Sequence, residues 1–278
     1  MKRFQAATLL LLLGCFCAAL PTQQTADGNN KSAQPAGKHV PQAKTHPEFN
    51  DYNAAYATSG GAASEKAADE FAAKYPASEL KAYLYAKAMH EYQNENNPAK
   101  MLSVGEKVLQ LDPDNSIALV LTSTVLADSL NDADTDREAK IARARKNATH
   151  ALDTVDSAFV PPANATPEQV TAYKSTLQSM AHSALGIVAL KTGDDATAEN
   201  ELKLSTSLNV SQPDPYLWYH LALAQDHQQK YPEALVSINH ALQVMGGNAE
   251  LGELAKGEQK RLLTLTGGNA PSPAPAPK

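Results

Sequence analysis

Histidine is the side chain best suited to acid–base or metal chemistry near neutral pH, and the chain carries eight of them. None stands in the H-E-x-x-H arrangement that places two zinc ligands on one helix face. His220 and His227 are seven residues apart and could share a helix face, but the neighbouring Asp226 points elsewhere and supplies no third ligand. Exposed helix polarity explains these histidines better, so we predict no metal, no cofactor and no catalytic residue.

Alternating aspartates further along the chain resemble the start of a calcium-binding loop; they are Asp132, Asp134 and Asp136. Such a loop needs glycine at its sixth position and a bidentate glutamate at its twelfth. This chain has Arg137 and Arg143 at those positions. The segment Thr135–Glu138 also has the capping-box pattern, which favours acids at a helix start. We therefore interpret the aspartates as the beginning of a helix.

Residues 1–19 are predicted to be an export signal. Lys2 and Arg3 form a charged start, residues 8–13 form a short apolar stretch, and residues 17–19 provide a small-residue cleavage region. The apolar stretch is much shorter than the roughly 20 residues that span a bilayer. Both cysteines, Cys15 and Cys17, lie in this leader, so the rest of the chain offers no disulfide and no thiol nucleophile.

An alternative fate for the leader is lipidation. Residues 12–15, Leu-Leu-Gly-Cys, resemble the lipobox of bacterial lipoproteins, in which the cysteine becomes an acylated first residue. Acylation of Cys15 would anchor the protein to a membrane. Leu13 and Phe16 are not the favoured neighbours, so ordinary cleavage near Ala19 is the preferred interpretation.

Polar or proline-rich segments flank the central part of the chain. Residues 20–45 contain too little hydrophobic surface to offset the entropy of ordering, which predicts a disordered linker. Residues 267–278 form a Pro/Ala-rich tail of extended character. The formal net charge is −6, and no basic cluster is present. Because phosphate contacts supply most non-specific nucleic-acid affinity, we expect no nucleic-acid partner.

Between these segments, residues 46–266 show helical periodicity and several helix-start signals, and no convincing strand alternation. Thr166 begins a capping box with Gln169, while Asn97 and Asp214 each stand before a proline at a first helical position. The pattern predicts an all-α protein with eleven helices, near residues 47–58, 64–75, 79–95, 98–111, 115–130, 136–155, 167–192, 195–208, 215–229, 232–245 and 249–265.

Aromatic, large apolar and small residues recur at fixed offsets in this region. Trp218, Leu221 and Ala222 are followed on the next helix by Ala234 and Ile238. The same offsets recur upstream, with weaker matches, at His182, Leu185, Gly186, Ala198 and Leu202, and at Tyr85, Ala88, Met89 and Val108. This pattern resembles the tetratricopeptide-repeat family, with repeats near residues 82–115, 116–158, 179–212 and 215–248. A generic amphipathic helical bundle is the alternative.

The resemblance implies a right-handed solenoid of antiparallel helix pairs, closed by the last helix as a C-terminal cap. It also implies a concave groove lined by the first helix of each pair. The family's groove positions fall on Tyr83, His90, Ile117, Thr124, Ile187, Lys191, Tyr216, Tyr219 and His227. Members that grip a C-terminal carboxylate use lysine and asparagine there, whereas the matching positions here hold Ser183, Ile187, Tyr219 and Leu223. A less charged protein or peptide ligand is therefore expected.

These features together predict a non-catalytic protein-interaction scaffold of the bacterial cell envelope, exported to the periplasm or secreted. An envelope-assembly lipoprotein is the first alternative, in which Cys15 would be acylated. The second is an envelope hydrolase with a helical fold, which would need a pair of carboxylates on facing helices, and the sequence singles out no such pair. A further candidate binding feature is the connection at residues 156–165, which contains Phe159.

Overall fold

The computed structural model describes residues 41–161 and 164–268. These residues form eleven α-helices and no β-strand, which confirms the predicted all-α class. The helices are α1 (His46–Tyr56), α2 (Gly61–Lys74), α3 (Lys81–Asn94), α4 (Pro98–Leu111), α5 (Ser116–Ser129), α6 (Arg137–Ala158), α7 (Pro167–Lys191), α8 (Asp195–Leu208), α9 (Pro215–His227), α10 (Tyr231–Gln243) and α11 (Ala249–Leu265). Each end lies within three residues of its predicted position.

Several predicted features lie outside the described residues. They are the leader at residues 1–19 with Cys15, residues 20–40 of the linker, and residues 269–278 of the tail. The last linker residues take part in the first helix: the Thr45 hydroxyl accepts the Glu48 N–H, and the Glu48 carboxylate accepts the Lys44 N–H at 2.7 Å. Within the described part of the chain, no helix is both long enough and apolar enough to cross a membrane.

The helix starts that were predicted from capping residues are present. The Thr166 hydroxyl accepts the Gln169 N–H, and the Gln169 side chain accepts the Thr166 N–H in return. Asn97 caps α4 by accepting the Lys100 N–H, and Asp214 caps α9 by accepting the Tyr216 N–H. Each cap satisfies a backbone donor that the first helical turn leaves without an intrahelical acceptor.

The chain divides into two compact units, each with its own core. Among the described residues, one unit holds those up to Val125 together with those between His150 and Leu177, and the other holds Leu126–Thr149 and those from Gln178 to residue 268. In the first unit α1, α2, α3 and α4 pack against one another in chain order. In the second unit α8, α9, α10 and α11 do the same.

The turn that joins paired helices is repeated three times with the same geometry. At the α3–α4, α7–α8 and α9–α10 turns one residue has positive φ: Asn96 at 53°, Gly193 at 79° and Gln229 at 60°. The next residue's amide then donates 2.9 Å back to a carbonyl five positions earlier, from Asn97 to Tyr92, from Asp194 to Ala189 and from Lys230 to Gln225. This left-handed turn ends the first helix and reverses the chain, so the two helices run antiparallel.

Small residues let helices approach closely inside the first unit. A Cβ added to Gly105 of α4 would lie 2.5 Å from the Thr122 methyl carbon of α5 and 3.1 Å from the Met89 sulfur of α3. Met101 and Val108, on the same face of α4, are buried. Glycine at this position therefore allows three helices to meet where a larger side chain would separate them.

This contact gives a stability prediction. We expect Gly105→Ala to lower the free energy of unfolding by about 1–3 kcal/mol, because overpacking forces neighbouring side chains to move. Thr122→Ser removes the methyl carbon and keeps the hydroxyl that donates to the Ala118 carbonyl at 2.7 Å. The double variant should therefore recover most of the loss in thermal unfolding followed by circular dichroism. Equal stability of Gly105→Ala and the unaltered protein would contradict this account of the packing.

A half-buried carboxylate in the first unit and a buried one in the second connect neighbouring helices. In the first unit Glu65 of α2 accepts the Tyr92 hydroxyl at 2.7 Å and lies 3.0 Å from the Lys107 ammonium of α4. In the second unit Glu199 of α8 lies 2.7 Å from the Lys203 ammonium and 2.6 Å from the Lys230 ammonium. Although burial opposes ionisation, the two lysines lower the pKa of Glu199 to about 2.

The last helix closes the core of the second unit. Leu251, Ala255 and Leu262 of α11 are buried, and Ala255 and Leu262 pack with Leu235 and Ile238 of α10. Leu254 and Leu265 stand at positions of α11 whose helical spacing from Leu251 and Leu262 predicts one apolar stripe. Both are instead 38% or more exposed, because the buried face of α11 is centred on Ala255.

Candidate functional site

The residues predicted to line a groove are divided between the two units. Tyr83 and His90 of α3 and Ile117 of α5 belong to the first unit. Lys191 of α7 and Tyr216, Tyr219 and His227 of α9 belong to the second unit. The structure therefore gathers the second set within one compact unit, and the first set within the other.

The groove candidates of the first unit are half-buried side chains. Burial raises the pKa of Tyr83, and the charge of Asp112 raises it further. Burial lowers the pKa of His90, whose ring nitrogen lies 3.3 Å from the Asn94 amide. Ile117 is partly exposed at the start of α5. These environments favour neutral side chains, which suits contact with an uncharged surface.

Aromatic side chains dominate one face of α9 in the second unit. The Tyr216 and His220 rings lie 4.0 Å apart between centroids, and the Tyr219 and His220 rings lie 5.3 Å apart in an edge-to-face arrangement. Leu223 and His227 follow at helical spacing on the same side. We call this set the α9 face; its members are Tyr216, Tyr219, His220, Leu223 and His227. All of them retain some exposure.

Each aromatic residue of the α9 face is also held by neighbouring groups. Tyr219 packs partly against the core formed by α9, α10 and α11. The His220 ring nitrogen lies 2.8 Å from the Tyr216 carbonyl oxygen. The His227 ring nitrogen lies 2.8 Å from a carboxylate oxygen of Asp195 at the start of α8. The rings are thus presented in fixed orientations, which reduces the entropy lost when a partner binds.

Lys191 has a specific intramolecular role. Its ammonium donates to the carbonyls of Ala127, Asp128 and Leu130 at 2.9, 2.6 and 3.3 Å, at the carboxyl end of α5. A cation at this position satisfies carbonyls that the last helical turn leaves without donors. We therefore regard Lys191 as a residue that positions α5. Ile187, one helical turn earlier, is buried in the core.

The structure adds Asp128 to the site, a residue that the sequence pattern had not singled out. Its carboxylate accepts the Tyr216 hydroxyl at 2.9 Å, across 88 residues of sequence. Burial raises the pKa of Asp128 to about 6, although the Tyr216 hydrogen bond and the Lys191 charge oppose the shift. The sequence contained one sign of its role. Asp128 stands twelve residues after the first residue of its predicted repeat, the same position that Lys191 and His227 hold in theirs.

Two groups of residues were considered as metal sites in the sequence, the aspartates near α6 and the histidines of α9. In the structure both groups contact other side chains or backbone groups of the same chain. Asp134 and Asp136 lie 2.9 and 3.1 Å from the Lys140 ammonium, and Asp132 lies 3.4 Å from the Arg137 guanidinium. His220 and His227 make the separate contacts described above. Among residues 41–161 and 164–268, no group of three or more potential ligands could hold a metal ion.

In the segment predicted as a connection at residues 156–165, the described residues Asp156 and Phe159 make packing contacts in the first unit. The Phe159 ring lies 6.3 Å from the Tyr173 ring of α7. The Lys174 ammonium donates to the carbonyl and the carboxylate of Asp156, both at 3.1 Å. These contacts favour a packed connection, and they leave the α9 face as the stronger candidate site.

No protein-family model matches this chain, and no curated protein is similar to it at a significant level.

Proposed function

We propose that this chain is a non-catalytic scaffold that binds a protein or peptide on the α9 face. The observation that carries the proposal is the grouping of Tyr216, Tyr219 and His220 as partly exposed, pre-oriented rings on one helix. Tyrosine is a frequent interface anchor because its ring buries apolar area while its hydroxyl finds a polar partner.

We further propose that the helix pairs form a tetratricopeptide-type solenoid. The repeated left-handed turn after α3, α7 and α9 supports this proposal, because one turn geometry produces one kind of helix pair. The close approach of paired helices also supports it: a Cβ on Gly186 of α7 would lie 2.7 Å from Leu202 of α8. In such a solenoid α9 is the first helix of its pair and lines the concave side.

The proposed location is the bacterial cell envelope, reached by export. The charged and apolar leader of residues 1–19 and the confinement of both cysteines to it support this part of the proposal. A soluble envelope partner suits ordinary cleavage of the leader, and a membrane-associated partner suits acylation of Cys15. The mature N-terminal mass separates these two forms.

The binding proposal predicts that changing the α9 face abolishes capture of a partner. A Tyr219→Ala, His227→Ala double variant should lose a partner that the unaltered protein captures from the envelope fraction of the source cells. Tyr231→Ala is the matched control, because Tyr231 packs against the same core cluster as Tyr219 but lies on α10. All three proteins must show the same helical circular dichroism.

The control variant determines how the result is interpreted. Loss in the double variant and retention in Tyr231→Ala support binding on the α9 face. Equal retention in both variants would move the site to the connection at residues 156–165, to the first unit or to the tails. Equal loss in both would indicate an effect on the core of the second unit and not on a binding surface.

A further inference from the structure

The carboxyl end of α5 meets parts of two other helices at Asp128. Tyr216, at the start of α9, donates its hydroxyl to the Asp128 carboxylate at 2.9 Å. Lys191, at the end of α7, donates its ammonium to the Asp128 carbonyl at 2.6 Å. The charge of Lys191 also acts on the Asp128 carboxylate. Asp128 therefore connects the α9 face to the ends of two other helices within the second unit.

Other charged or titratable groups surround this contact. Asp214, the cap of α9, contributes a second carboxylate, and its charge disfavours ionisation of Asp128. Burial raises the pKa of Asp214 as well. From α6, the Arg137 guanidinium donates to the Lys191 carbonyl at 2.7 Å. From α9, the His220 ring lies 4.0 Å from the Tyr216 ring. These groups, with Lys191, make up the electrostatic environment of Asp128.

The Tyr216 and Lys191 interactions both favour the ionised form of Asp128. Thermodynamic linkage requires the reverse effect: when Asp128 takes up a proton, both interactions become weaker. A charge-assisted hydrogen bond from Tyr216 becomes a neutral one, which is roughly half as strong. Burial places this change near pH 6, and not near the ordinary aspartate value of about 4.

We propose that Asp128 and Tyr216 form a pH-responsive clasp that controls the α9 face. When Asp128 is ionised, the Tyr216 side chain is held against the end of α5. When Asp128 is protonated, this hydrogen bond weakens and Tyr216 loses the fixed orientation in which the α9 face presents it. This regulation rests on the proposed function, but the clasp itself is a property of the isolated protein.

The clasp can be tested without any partner by nuclear magnetic resonance. The full chain would be labelled with ¹³C at the aspartate carboxyl carbons and the tyrosine rings, and titrated between about pH 4 and pH 8, a range that brackets the ordinary and the shifted value. The Asp128 signal is the one missing from Asp128→Asn, and the Tyr216 signal is the one missing from Tyr216→Phe. Direct observation of the Asp128 carbon assigns the titration to this carboxyl group.

The expected result is an Asp128 midpoint near pH 6, with the Tyr216 ring signals shifting at the same midpoint. In Asp128→Asn the shift of the Tyr216 signals that coincides with the Asp128 midpoint should be absent. An Asp128 midpoint near the ordinary value of about 4 would overturn the clasp, and so would Tyr216 signals that ignore the Asp128 titration.

A second experiment, partner capture at different pH values, tests the clasp and the proposed function separately. Capture of the partner should decrease as pH falls through the Asp128 midpoint, because Tyr216 is then held less firmly, and Asp128→Asn should capture it equally at both ends of the range. A confirmed clasp without any partner capture would refute the scaffold and leave the clasp standing. Partner capture on the α9 face that shows no pH dependence would refute the regulation and leave the scaffold standing.

Discussion

Leu202→Ala is expected to lower the free energy of unfolding of the second unit by about 2–5 kcal/mol, because it removes a fully buried side chain and leaves a cavity. Leu202 is 0% exposed, and its side chain fills the space directly beside Gly186. The chain contains one tryptophan, Trp218, which stacks on His240 in the same unit. Urea unfolding followed by Trp218 fluorescence therefore measures the stability of this unit.

Leu204→Ala is the matched control for this prediction. Leu204 lies on the same helix two residues away and is 47% exposed. Its truncation should change the unfolding free energy by no more than about 0.5 kcal/mol, the usual range for surface positions. Equal effects of the two variants would show that α8 is not packed through the face that holds Leu202.

Glu199→Ala should lower the free energy of unfolding by about 1.5–3 kcal/mol in the same measurement, because it removes the hydrogen bonds that a buried carboxylate accepts from charged groups. The Glu199 side chain is 5% exposed and interacts with Lys203, Lys230 and the Gln228 amide. Glu199→Gln keeps the shape and loses the charge, so it should cost less. Glu253→Ala is the control, since Glu253 is 76% exposed and pairs only with Lys256 among the contacts described for α11.

The same network gives the sign of a pH dependence. The pKa of Glu199 is lowered from 4.5 to about 2 in the folded protein. Its contribution to stability is therefore fully present above about pH 4.5 and is lost as pH falls toward 2. The stability difference between the unaltered protein and Glu199→Gln should shrink over that interval. A difference that stays constant down to pH 2 would contradict the ionic origin of the effect.

The sequence was sufficient to predict the helices because their starts carry strong local signals. Thr166, Asn97 and Asp214 each supply a side-chain oxygen where a helix needs an acceptor, and a proline follows each of them. The start of α2 was less well predicted. It was expected at Ser64, whereas the helix begins at Gly61, because the carboxylates of Glu91 on α3 and of Glu95, the residue that follows α3, accept the Gly60 and Gly61 amides.

The candidate site residues were predicted from the family resemblance. The resemblance put Tyr216, Tyr219 and His227 on the first helix of the last repeat, and the structure describes them on α9. The contact between Asp128 and Tyr216 joins residues 88 positions apart, so no local pattern indicates it. The hydrogen bonds from the Lys191 ammonium to the carbonyls at the end of α5 likewise depend on how α5 and α7 pack. Local sequence does not determine that packing.

Site-specific photocrosslinking tests the central claim most directly. A photoreactive phenylalanine analogue would replace Tyr219 in one protein and Tyr173, in the first unit, in a control protein. Both would be irradiated with the envelope fraction of the source cells, with and without an excess of the unlabelled protein. We predict a defined adduct from position 219 that the excess protein suppresses, and no such adduct from position 173. Suppressible adducts from position 173 alone, or from neither position, would contradict binding on the α9 face.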